Sequence, residues 1–208
     1  MLKKTVILAL TLLMSISLAA CGSNSSKTEA KKDSISPSAN AQAKGQEQTQ
    51  TSLKTKKILV AYYSWSGNTR EIASQIQKAT GGDIVEIQPV VPYSSDYDTV
   101  TKQAKQEIES GYKPALKTKI DNINSYDVVF IGSPIWWGTI APPVATFLSE
   151  YDLSGKTVVP FVTHGGGGQG RSFDDIAKLC PQSTILNGID VFGRDTNGLQ
   201  DELSKRLR

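Results

Sequence analysis

Histidine and cysteine are nearly missing from this chain of 208 residues, which holds one histidine, His164, and two cysteines, Cys21 and Cys180. No metal site is assigned, and no catalytic residue is either. The run His164-Gly165-Gly166-Gly167 has the composition of an oxyanion-hole loop. Yet the nucleophile elbow G-x-S-x-G is absent, and the lone histidine precedes the last strand instead of following an acid that follows a serine. A serine hydrolase is therefore set aside. An excess of one charge is missing from most of the chain as well. Residues 1–56 carry eight lysines and three acids, whereas residues 57–208 carry 15 basic and 17 acidic side chains. The net charge of +3 belongs to the N-terminal stretch, and nothing in the nearly neutral remainder marks a nucleic-acid partner. No internal repeat is visible. The apolar run Val6–Leu18 falls short of the roughly 20 residues that a bilayer-spanning helix needs.

What that run does fit is a secretory signal. Lys3 and Lys4 form a positive start, and Leu18-Ala19-Ala20-Cys21 closes the run with small residues. Leu-Ala-Ala-Cys resembles the lipobox of bacterial lipoproteins. The resemblance implies removal of residues 1–20, a lipid on Cys21 and an extracytoplasmic domain held to the cell membrane. The signal contains no twin arginine, so a folded-protein export route is not indicated. Residues 21–55 are mostly Ser, Lys, Ala, Gln, Thr and Asn and cannot bury enough surface to offset their ordering entropy, so they are expected to be a disordered tether. With Cys21 modified, Cys180 has no disulfide partner and reads as a buried thiol at a helix end.

Residues 56–208 remain for a folded domain. The stretch Lys57–Thr80 begins as an apolar β-branched run, breaks at Ser64-Trp65-Ser66-Gly67-Asn68-Thr69, and continues with Ile72, Ala73 and Ile76 on one helical face. Asp83–Ile87 alternates as a short strand. Asp96–Gly111 reads as a polar helix with Val100, Ala104 and Ile108 inward, stopped by Gly111. Asp127–Gly132 and Thr157–Val162 are continuous apolar strands of the kind buried on both faces. Helices are predicted at Pro142–Tyr151 and Ser172–Leu179, a strand interrupted at Asn187-Gly188 over Thr184–Phe192, and a closing helix over Asn197–Leu207. Strands alternating with helices imply an α/β fold, a doubly wound parallel sheet of five strands in an order such as 2-1-3-4-5, with helices on both faces.

Ligands of such sheets bind beyond the carboxyl ends of the strands. Three unusual loops fall there. SWSGNT (64–69) leads into a helix whose first amides lack partners and whose dipole favours an anion, with Ser64, Ser66 and Thr69 as further donors. The alternative is an ordinary turn capped by Asn68 or Thr69. SPIWWG (133–138) offers two adjacent indoles behind a stiffening proline. THGGGGQG (163–170) lets backbone amides approach a flat ligand. Together they match a phosphorylated aromatic heterocycle.

YYSWSGNTREIA, YDVVFIGSPIWWGTIAPPV and PFVTHGGGGQG, in that order and spacing, resemble the flavodoxin family, in particular its single-domain flavodoxin-like subgroup. The resemblance covers residues 57–208 and implies a flavodoxin-like fold with non-covalent FMN. It implies that Ser64, Ser66, Gly67, Asn68 and Thr69 hold the FMN phosphate, with Trp65 inside the loop. Pro134, Ile135, Trp136, Trp137 and Gly138 would then wall the ring, while Thr163, His164, Gly165, Gly166 and Gly167 would meet its edge. The third loop lacks the aromatic that many carriers stack on the flavin, which leaves one face open to a substrate. No Asp-x-x-Ser/Thr-Gly-Ala motif for covalent flavin attachment is present. The expected role is electron transfer with a redox partner protein or a quinone. An FMN-dependent quinone reductase and a flavin-free binding module are the alternatives.

Overall fold

The computed structural model describes residues 56–207. The expected signal, tether and Cys21 anchor lie outside these residues. Strand β1 (Ile58–Tyr62) is followed by helix α1 (Asn68–Thr80), β2 (Asp83–Glu86) and α2 (Tyr97–Ser110). Then come β3 (Val128–Trp136), β4 (Thr139–Ile140), α3 (Pro142–Glu150), β5 (Thr157–His164) and α4 (Ser172–Leu179). The chain closes with β6 (Thr184–Ile185), β7 (Ile189–Phe192) and α5 (Leu199–Leu207).

β2, β1, β3, β5 and β6 lie side by side in that order and pair in parallel. β7 pairs in parallel with β5 beyond β6. β6 and β7 are thus two halves of one fifth strand, parted at Asn187-Gly188, and the winding is 2-1-3-4-5. The closing helix starts two residues later than its polar pattern suggested.

The apolar runs of β1, β3 and β5 have a two-sided explanation. Leu59, Ala61, Val129, Ile131 and Val158 point to one core with Val144, Phe147 and Leu148 of α3 and Ile176 of α4. Their neighbours Ile58, Val60, Val128, Phe130, Val159 and Phe161 point to a second core with Ile72, Ala73 and Ile76 of α1 and Leu199 and Leu203 of α5. A strand residue alternates faces, so a strand covered by helices on both sides must be apolar throughout. Ile72 and Ile76 are fully buried, each stabilising the layer by about 1.5–3 kcal/mol. In α2 the inward face is Val100, Ala104 and Glu107, not Ile108, which is half-buried. Cys180 caps α4 as a buried free thiol, and burial pushes it up to about 11.

β3 runs four residues past its expected end. Its tip forms an antiparallel hairpin with β4, pairing Ile135 with Ile140 and Trp136 with Thr139. Left-handed backbone at Trp137 (φ 50°) and Gly138 (φ 76°) makes the two-residue turn, the geometry that matches strand twist. The Ser133 hydroxyl staples it, donating to the Pro134 carbonyl (2.8 Å) and accepting from the Ala141 amide (2.9 Å). SPIWWG is therefore mostly strand, with the second indole and Gly138 in the turn.

Gly132 lies between Tyr62 and Phe161 in the sheet, and a Cβ there would come within 2.1 Å of the Phe161 ring. Gly132→Ala is expected to destabilise the domain by about 1–3 kcal/mol. Urea unfolding checks this: the midpoint should fall while the slope holds.

Candidate functional site

The turn from β1 into α1 is built on Gly67, the N-cap residue, whose φ of 92° is open to glycine at little cost. No side chain caps α1 from the N-cap position itself. Instead the Ser64 hydroxyl reaches under the loop and accepts from the amides of Gly67 and Arg70, both at 3.2 Å. Glu71 is the first residue to close a helical bond, onto the Gly67 carbonyl (3.1 Å). The amides of Ser66, Asn68 and Thr69 have no acceptor among the described residues. Three open amides at the positive end of a helix, flanked by neutral hydroxyls, suit an anion.

This cradle is tied to the third loop. Thr69, buried in the first turn of α1, shares a 2.9 Å hydroxyl bond with buried Thr163 near the end of β5. Beside it, a cavity of about 430 Å³ opens, lined by Trp65, Ser66 and Asn68 of the first loop and Pro134, Ile135, Trp136 and Trp137 of the hairpin. Thr163, His164 and Gly165 complete the expected part of its lining. Ser64, Gly67 and Thr69 sit in the turn beneath, while Gly138, Gly166 and Gly167 do not line the cavity. A further wall comes from α2 through Tyr97, Val100, Thr101 and Ala104. Their i, i+3, i+4, i+7 spacing marks a single helical face, which the sequence had suggested was core alone. The exposed Tyr97 was the available clue that part of that face meets something else.

The two indoles divide as adjacent residues of a strand end must. Trp136 packs edge-on against Tyr63 (5.6 Å) and Tyr93 (5.0 Å). Burial raises the phenols of both tyrosines, and for Tyr93 a hydrogen bond donated to Glu107 adds to the rise. Trp137 is 54% exposed, donates from Nε1 to the Thr101 carbonyl (2.9 Å) and carries the Lys105 ammonium 5.2 Å above its ring. Trp65 is anchored through Nε1 to the Ser94 carbonyl (2.8 Å) and leans on Tyr97 at 6.3 Å.

His164 is committed to structure. Its Nδ1 accepts from the Gly166 amide (3.0 Å), which places the proton on Nε2, 3.0 Å from the Asp190 carboxylate. Both ring nitrogens are used, so the histidine shapes the glycine loop and has no proton to offer a ligand. Among the described residues there is no cluster of His, Cys, Asp or Glu able to hold a metal. An anion cradle continuing into an aromatic slot fits a planar ring that bears a phosphate, and the donor set fits FMN.

The flavodoxin family model matches residues 57–205. The chain belongs to the flavodoxin family. Among solved structures, this flavodoxin-family chain is 37% identical to a protein from Bacteroides eggerthii, covering 74% of this chain and 99% of that one with a TM-score of 0.66. A Lactobacillus acidophilus flavoprotein, solved in complex with FMN, is 24% identical with a TM-score of 0.60, covering 72% of this chain and 99% of that one. An NAD(P)H dehydrogenase (quinone) of Azorhizobium caulinodans is 26% identical over 145 residues, 64% of this chain and 70% of that protein.

The indoles separate in their effect on stability. Trp136→Ala is expected to cost about 3 kcal/mol through its lost tyrosine contacts, and Trp137→Ala under about 1 kcal/mol. Urea midpoints of the two variants check this, and equal losses would place both rings in the core.

Proposed function

We propose that this domain is a redox module that binds FMN non-covalently and passes electrons at the outer face of the cytoplasmic membrane, anchored there by a lipid on Cys21. The observation that carries the FMN reading is the continuity of open amides at the α1 N-terminus with an aromatic-walled cavity. The FMN complex of the Lactobacillus relative supports the same reading. Placement outside the cytoplasm rests on the Leu18-Ala19-Ala20-Cys21 resemblance.

When bound, FMN supplies one- and two-electron transfer. The protein's part is to bind and tune it. The amides of Ser66, Asn68 and Thr69, with the hydroxyls of Ser64 and Ser66, hold the phosphate. Pro134, Ile135, Trp136 and Trp137 wall the ring, and Thr163 and Gly165 meet its edge. An apolar wall without a facing cation disfavours added negative charge on the ring, which lowers its potential. An outward-facing domain has no supply of cytoplasmic NAD(P)H, so a membrane partner protein or a quinol is the natural electron source.

A second reading, FMN-dependent quinone reduction, is favoured by the exposed glycines Gly165–Gly167, which put no side chain over the ring. The quinone dehydrogenase relatives support it too. Rapid turnover of NADPH with a benzoquinone selects the reductase, and reduction only by a membrane redox partner selects the carrier.

Titrating the purified chain with FMN tests the central reading. Saturable quenching of flavin fluorescence is expected, and a protein that stays colourless and leaves FMN fluorescence unchanged would overturn it. Ser66→Asp should weaken FMN at least roughly tenfold by setting a carboxylate against the phosphate. Unchanged affinity removes the cradle assignment.

A further inference from the structure

The phosphate monoester of FMN carries about −1.5 to −2 charges near neutral pH, yet the loop from Ser64 to Thr69 contains no basic residue. The cation nearest in sequence, Arg70, is already ion-paired, with only its Nη1 left unbonded near Gly67 among the described residues. Its Nη2 lies 2.5 Å from one Glu86 carboxylate oxygen and its Nε 3.3 Å from the other. The Tyr62 hydroxyl is also directed at Glu86, 3.4 Å away.

A second arginine reaches the same helix end from the far side of the sequence. Arg194 donates from Nε to the Asn68 side-chain oxygen at 3.1 Å, and Asn68 is the first residue of α1 and lines the cavity. Among the described residues no carboxylate lies within ion-pair distance of Arg194. The two nearest acids in the chain are otherwise engaged: Asp190 faces His164, and Asp195 accepts from the Asn197 amide (2.9 Å). The arginine is also held in place. The Gly193 amide bonds the His164 carbonyl (2.8 Å), the Asp195 amide bonds the Phe192 carbonyl (3.0 Å), and Gly193 takes a left-handed φ of 57°. A fixed turn at the end of β7 therefore presents a planar guanidinium to the side chain of Asn68, the first residue of α1. Its two Nη groups make no hydrogen bond among the described residues.

We propose that Arg194 is the counter-cation of the FMN phosphate, and that it makes this site select FMN over unphosphorylated riboflavin. The inference deepens the FMN reading and rests on it. A guanidinium fork matches two phosphate oxygens at once, which neutral hydroxyls and amides do not replace. Asn68 serves here as the positioning residue: its side-chain oxygen aims the fork.

The test is a set of equilibrium titrations of the full chain, wild type and Arg194→Ala, with FMN and with riboflavin. FMN affinity should fall about tenfold in the variant while riboflavin affinity stays put. The dependence of FMN affinity on salt should flatten in the same variant. Phosphorus NMR of bound FMN gives a second readout. A neighbouring cation favours the dianion, so the phosphate should titrate at lower pH in the wild type than in Arg194→Ala. Arg194→Gln keeps a donor for Asn68 without the charge, and it serves if the alanine variant does not fold. Equal loss of FMN and riboflavin would reduce Arg194 to a prop of the turn and overturn the inference. Unaltered FMN affinity would overturn it as well. Wild-type protein that binds neither flavin would instead overturn the FMN reading, and this inference with it.

Discussion

Two-sided burial of β1, β3 and β5 is the constraint on which the site depends. Because α1 and α5 cover one face and α3 and α4 the other, these strands cannot slip in register without turning one core's residues into the other core. The pairs Tyr62–Gly132 and Gly132–Phe161 fix where each strand ends relative to its neighbour. Parallel strands held in register deliver their carboxyl-end loops to one edge, so the cradle, the indole hairpin and the glycine loop meet without contacts of their own having to draw them together. The Thr69–Thr163 bond then adjusts what the sheet has already placed.

That division explains what was legible in the chain. Continuous β-branched runs announce strands buried on both faces, and Gly111 announces a helix end, so the layer order could be read from residues 57–192. The hairpin at the tip of β3 could not. Ser133-Pro134-Ile135-Trp136 has no alternation to mark it as strand, and its turn depends on a tryptophan in left-handed backbone, which sequence statistics disfavour. The α2 wall was half legible. Val100 and Ala104 show helical spacing, but the period of a helix does not say whether its apolar face meets core, ligand or both. Arg194 was not legible at all, because 126 residues separate it from Asn68 and only the right-handed crossovers bring β7 beside α1.

Charge placement around the cradle follows one pattern. Two charged groups beside the cradle and the slot are paired within the protein, Arg70 with Glu86 and His164 with Asp190. Such pairing keeps stray fields from the ring and leaves neutral donors and aromatic faces as the local environment. A protein that tunes a flavin by excluding charge has reason to do this, since a single unpaired cation near the ring would stabilise added negative charge and raise its potential.

Within that pattern an unpaired arginine at the phosphate end has a different consequence from one at the ring end. The phosphate keeps its charge through any redox change at the ring, so a cation there strengthens binding equally in every redox state and leaves the difference between states nearly untouched. A cation over the ring would bias one redox state instead. Separating the two sites, with the guanidinium at Asn68 and no lysine or arginine lining the slot, lets affinity be raised without shifting potential. That separation suits a domain that must capture its cofactor where flavin is scarce, the circumstance that follows if the chain is loaded outside the cytoplasm.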